Sequence, residues 1–142
     1  MHRGISLIEV VTVLSVVGIL LLVATPRLSK WGDDLAVERA TGEVASFYWT
    51  ARMRAIFRGS RVRIEFGADS LRASFEGVTD SVFLMWPGPS RHGVSLRASR
   101  PVIRVYGNGM GLGAANTKLV LQRGAAAESL TTSRLGRLKR WN

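Results

Sequence analysis

The chain has no cysteine among its 142 residues, which excludes disulfide scaffolds, Cys-ligated zinc, iron–sulfur clusters and thiol nucleophiles. Histidine is nearly as scarce: His2 and His92 are the two present, too few for the acid–base or metal chemistry of most hydrolases. The composition therefore points away from an enzyme, and no donor spacing calls for a metal or a cofactor. Acid is missing from one part of the chain. Residues 1–80 carry 10 basic and 9 acidic side chains, net +1, whereas residues 81–142 carry 10 basic ones and Glu128 as their single acid, net +9. The positive field belongs to the C-terminal part. At this length there is room for one domain.

Charge is also missing from the front of the chain. Of the 21 residues Ile5–Thr25, 15 are Ile, Leu, Val or Ala, and Glu9 is the only charged one. A helix over this stretch is about 31 Å long at about 1.5 Å per residue, close to the roughly 30 Å hydrocarbon core of a bilayer. The run is longer than the apolar core of a secretory signal peptide, and Leu22-Val23-Ala24 offers a poor small-x-small cleavage site. The chain thus reads as one membrane anchor plus one domain. A carboxylate inside such a helix costs on the order of 2–3 kcal/mol on insertion scales, so Glu9 demands a cation.

Arg3-Gly4-Ile5-Ser6-Leu7-Ile8-Glu9-Val10, continued by an uncharged apolar run to Thr25-Pro26, resembles the N-terminus of type IV pilins and type II secretion pseudopilins. The resemblance implies cleavage by prepilin peptidase between Gly4 and Ile5, N-methylation of the new N-terminus Ile5, and an assembly role for Glu9. In that role its carboxylate pairs with the N-terminal amine of a neighbouring subunit, which supplies the cation. Ile5 departs from the Phe most common at that place. His2 and Arg3 keep the leader on the cytoplasmic side. The implied location is the inner membrane, single-pass, with the head in the periplasm.

Pro26 lacks an N–H and is expected to kink the helix. Beyond it the pattern turns amphipathic: Val37, Ala40, Val44, Phe47, Ala51 and Ala55 recur at three- and four-residue spacing, and Arg39 and Glu43 are spaced to pair. Gly32-Asp33-Asp34 reads as a break with an Asp cap restarting the helix, and Asp33, Asp34 and Glu38 read as first-turn acids, not metal ligands. From Ser60 the period becomes two. Val62, Ile64 and Phe66, a turn at Gly67-Ala68-Asp69, and Leu71, Ala73 and Phe75 make a hairpin. Further strands are expected at Val82–Trp86, Val94–Ala98, Val102–Tyr106, Thr117–Arg123 and Ser129–Thr132, with a short one within Leu135–Trp141.

The expected fold class is α+β: a long N-terminal transmembrane and amphipathic helix followed by an antiparallel β-rich head, as in pilins. The segments are 1–4 (leader), 5–26 (transmembrane and filament-core helix), 27–58 (amphipathic continuation) and 59–142 (head). The stretch Thr50–Val62 and the ending Gly136-Arg137-Leu138-Lys139-Arg140 resemble the GspH/FimT family of minor pseudopilins and minor pilins. This implies a structural subunit of a type II secretion pseudopilus, with other pilins, prepilin peptidase and membrane lipid as partners. An alternative follows from the basic C-terminus. Arg134, Arg137, Lys139 and Arg140, beside Trp141, form a candidate DNA-binding strip. They resemble the Gly-Arg-x-Arg motif of FimT-like minor pilins of natural transformation, with Lys139 where the second Arg belongs.

Two other features read as bland. Gly107-Asn108-Gly109-Met110-Gly111-Leu112-Gly113 lacks the spacing of a dinucleotide-binding loop and precedes a strand, so it is expected to be a mobile hairpin loop. His92, in a Pro/Gly-rich stretch, is expected to be an exposed loop residue.

Overall fold

The computed structural model describes residues 6–77, 81–113 and 115–141, with the side chains of 23–28 left aside. One helix, α1 (Leu7–Arg58), is followed by β1 (Val62–Phe66), β2 (Ser70–Phe75), β3 (Val82–Pro87), a short 3-10 helix (Pro89–His92), β4 (Ser95–Ala98), β5 (Val102–Val105), β6 (Thr117–Arg123), β7 (Ala126–Thr132) and β8 (Leu138–Trp141). The chain divides into two compact units, 1–32 and 33–142.

In the first unit, the apolar side chains from Leu7 to Leu22 are exposed on every face of the helix. Among the described residues no helix is long and apolar enough to cross a membrane; the described side chains of this run stop at Leu22, after sixteen residues. The kink expected at Pro26 falls on a side chain outside the described residues; the backbone there is helical. The break expected at Gly32-Asp33-Asp34 does not occur, since α1 is assigned unbroken through it. A glycine costs a helix about 1 kcal/mol, which well-formed turns on both sides outweigh. Asp33 caps nothing; it forms an ion pair with Arg123 at 2.9 Å.

The second unit is a head built on the C-terminal part of α1. Val37, Ala40, Val44, Phe47, Ala51 and Ala55 are all buried, as their spacing predicts, and Thr41 and Tyr48 join them. They pack on two four-stranded antiparallel sheets, ordered β3-β2-β1-β5 and β4-β6-β7-β8. The alternating residues of the predicted hairpin point inward in register, with Val62 opposite Phe75, Ile64 opposite Ala73 and Phe66 opposite Leu71. Leu119, Leu121 and Leu130 supply the inner face of the second sheet, and one core cluster joins both sheets to the helix.

The strands differ from expectation mainly in extent: β7 starts three residues earlier than Ser129, and β8 is confined to Leu138–Trp141. The glycine-rich segment 107–113 folds back as the expected hairpin turn, with Tyr106 N–H donating to Met110 O at 2.7 Å and Leu112 N–H to Arg104 O at 2.9 Å. It links β5 of the first sheet to β6 of the second, and it is pinned where Gly111 N–H donates to Arg134 O at 2.7 Å and Val105 bridges to Gly111.

Candidate functional site

Of the residues that the sequence marks for processing and assembly, Gly4 and Ile5 lie outside the described residues. Glu9 stands in the first turn of α1, exposed, its backbone N–H bonded to Ser6 O at 3.0 Å. It has no ion-pair partner among the described residues of its own chain. A carboxylate on this apolar stretch therefore has no compensating charge among the described residues.

The candidate DNA strip does not form a single face. Strand alternation places Arg140 opposite the buried Leu130, and Lys139 opposite Thr131 on the other side of the sheet. Arg140 is already engaged: its Nε and Nη2 donate to the two carboxylate oxygens of Glu128 at 2.9 and 2.6 Å. These hydrogen bonds hold its pKa above the ordinary arginine value. Lys139 Nζ sits 3.5 Å over the Trp141 ring, whose indole N–H donates to Thr131 Oγ1. Arg134 and Arg137 are exposed, and among the described residues neither has an ion pair. The strip thus reduces to two free arginines on the β7–β8 turn, with Lys139 on a separate face.

That turn rests on α1. Tyr48 Oη donates to Gly136 O at 3.1 Å, and burial pushes the Tyr48 phenol up despite the nearby Arg52 charge. Arg52 Nε donates to Gly109 O at 2.9 Å, and its guanidinium lies over the Trp49 ring. Gly136 has φ 74°, and a Cβ there would collide with the Gly109 carbonyl oxygen and the Arg52 side chain. The glycine of the Gly136-Arg137-Leu138 motif is therefore required by packing, whatever Arg137 contacts.

A second polar cluster joins the helix to the short 3-10 helix. Arg91 Nη2 donates to Glu43 Oε1, and His92 Nε2 lies 3.2 and 3.1 Å from the two Glu43 oxygens. His92 is consequently half-buried and clamped, not an exposed loop residue, and Glu43 pairs across 48 residues with Arg91 instead of with Arg39. A partner so distant in sequence leaves no local signal. Burial pushes the Glu43 carboxyl up, yet the hydrogen bonds from Arg91 and His92 and their charges outweigh it, and the net direction is down. Among the described residues no group of His, Asp and Glu could hold a metal ion.

The helix-plus-two-sheet head has counterparts among solved structures. The type IV minor pilin FimU of Pseudomonas aeruginosa strain PAO1 superposes with TM-scores of 0.64 and 0.62 in two crystal forms, over 75% and 74% of this chain and 88% and 92% of FimU, at 13% identity. The fold is pilin-like. No known protein-family model and no curated protein matches the chain.

Two outcomes test the packing of this pilin-like head. Because the Glu43 pKa is lowered on folding, its contribution to stability is present above the ordinary carboxylate range and is lost as pH falls through the lowered folded value. Denaturant titrations of the purified chain between pH 6 and pH 3 are expected to show this loss, and Glu43→Gln to flatten it. Gly136→Ala is expected to destabilise the chain by more than about 1 kcal/mol, from the positive φ alone, and to lower the thermal midpoint. An unchanged midpoint would show that the turn is not held as described.

Proposed function

We propose that this chain is a non-enzymatic, single-pass inner-membrane subunit of a pilin-like filament, a minor pseudopilin of a type II secretion system that serves protein export. The observation that carries the reading is Glu9, without an ion-pair partner among the described residues, on an apolar helix that continues into a pilin-like head. In this reading the helix waits in the bilayer with the head in the periplasm. Prepilin peptidase frees and methylates Ile5, and the Glu9 carboxylate meets the amine of an adjoining subunit as the helix leaves the lipid. In an apolar surrounding such a pair sets register, because a subunit that misplaces it leaves a charge unpaired. Intact mass of membrane-extracted protein is expected to show loss of Met1–Gly4 and gain of one methyl group. Glu9→Gln is expected to leave the chain in the membrane yet reduce its share of sheared filaments at least tenfold. Retention of the first four residues in a working system would overturn the reading.

A second reading, a minor type IV pilin that binds DNA for uptake, draws support from Arg134 and Arg137, free on an exposed turn in the acid-poor part of the chain. It keeps two of the four strip cations, since Arg140 is committed to Glu128. In this reading the protein shifts duplex DNA in a gel with affinity falling steeply as salt rises, and Arg134→Ala with Arg137→Ala abolishes the shift. Absence of any shift at low salt eliminates it.

A further inference from the structure

Four strands lie at sheet edges: β3 and β5 in the first sheet, β4 and β8 in the second. An edge strand offers a row of unpaired N–H and C=O groups to other chains, and charged side chains are one common protection against such pairing. Three of these edges carry that protection. β5 contains Arg104, and its rim is occupied where Leu112 N–H donates to Arg104 O and Val105 bridges to Gly111. β4 contains Arg97, and β8 contains Lys139 and Arg140. β3, Val82-Phe83-Leu84-Met85-Trp86-Pro87, contains no charged residue.

The core is also unfinished at β3. On the inner face of the first sheet, Phe66 and Leu71 are buried, whereas Trp86, opposite Leu71, is half-buried. One row further, Ile64 and Ala73 are buried, and Leu84, opposite Ala73, is again half-buried. Val82 is 50% and Met85 64% exposed. Each row that is closed at β1 and β2 thus ends open at β3, and one more strand of apolar side chains would close it.

The backbone restricts what can close it. Ser70 O accepts from Gly67 N–H on the β1 side of β2. By the alternation of antiparallel pairing, Ser70 and Arg72 therefore bond toward β1, and Leu71 and Ala73 bond toward Trp86 and Leu84 of β3. Met85 then turns its N–H and C=O away from β2, and Pro87 turns its C=O the same way. Among the described residues no group outside β2 bonds to the backbone of Val82–Pro87. A lipid chain could fill the apolar rows but would leave these groups unpaired, whereas an extended peptide satisfies both.

We propose that β3 takes a further strand from another polypeptide: an extended, uncharged segment with apolar side chains at alternate positions, bonded through its backbone to Met85 and the Pro87 carbonyl and seated beside Leu84 and Trp86. Pro87, which has no N–H, ends the pairing and fixes its register. In the filament reading, on which this partner assignment rests, the segment belongs to a subunit of a different kind, because a minor subunit is flanked by other chains.

The probe is a blocked seven-residue peptide alternating Thr and Val, titrated into the detergent-solubilised full-length chain with empty micelles as the blank. Saturable binding is expected, with amide exchange at Met85 slowed at least tenfold and a smaller effect at Leu84 and Trp86, which already bond to β2. Met85→Pro removes the outward N–H without touching a bond to β2, so it is expected to weaken the peptide at least tenfold at an unchanged thermal midpoint. Met85→Lys, which adds a charge on an exposed side chain, is expected to give a similar loss, and Met85→Leu to bind as the parent chain does. In cells, Met85→Pro is expected to reduce the chain's share of sheared filaments at least fivefold, while loss of Met1–Gly4 and the added methyl group persist. No saturable binding, or binding that Met85→Pro and Met85→Lys leave intact, would overturn strand addition and leave the filament reading standing. Slow exchange at Met85 without peptide, growing with protein concentration, would show β3 paired with a second copy and overturn the assignment to a different subunit. Peptide binding with an undiminished filament share would uphold strand addition and overturn that assignment. A chain that keeps its first four residues in a working system overturns the filament reading itself.

Discussion

An apolar helical stretch exposed on every face among the described residues is the constraint to which the rest of this structure answers. From Leu7 to Leu22 the side chains are exposed all round, Leu7 at 82% and Leu22 at 76%. Soluble monomers rarely leave contiguous apolar surface of this extent uncovered, so some other apolar phase must take it up. Glu9 narrows what that phase can be. In an apolar surrounding a lone carboxylate carries a penalty, and among the described residues Glu9 has no ion-pair partner to offset it.

The head imposes the opposite demand on the continuation of the same helix. There Val37 through Ala55 are buried on one side under two sheets, and polar clamps fix the register of that packing: Glu43 to Arg91 and His92, Asp33 to Arg123, Tyr48 to Gly136, Arg52 to Gly109. Each clamp joins α1 to a loop or strand end, the places where apolar packing alone is least discriminating. Buried or half-buried polar groups left without such partners cost about 1–3 kcal/mol each, so the clamps specify which loops may lie on the helix as much as they hold them there.

What could be read from residue order follows from the range of each interaction. The head-helix stripe and the β1–β2 hairpin were legible because periods of about 3.6 and 2 are local, and both recur in the structure residue by residue. Pairing between distant elements was not. Nothing in the order of Glu43, Arg91 and His92 announces that they touch, and alternation along β4 to β8 does not say that they form a sheet separate from β1, β2, β3 and β5. The four cations near the C-terminus looked like one strip because they are adjacent in sequence. The register of β8 on β7 turns Arg140 toward Glu128 and leaves Lys139 outside. Gly136 looked like part of a ligand motif, and its positive φ beside Gly109 assigns it to packing as well.

Charge along the head helix follows the same logic of local excess and remote complement. Asp33, Asp34, Glu38 and Glu43 crowd its first turns, whereas from Val44 to Arg58 the charged residues are Arg52, Arg54 and Arg58 and there is no acid. Each end therefore carries charge that its own end cannot neutralise, and Asp33 and Glu43 find cations only because β6 and the 3-10 helix bring them. Asp34 at one end and Arg134 and Arg137 on the turn seated at the other have no ion pair among the described residues, and Glu38 reaches Arg140 only at 4.0 Å. Such an arrangement costs little in a solvated monomer, where screening is strong.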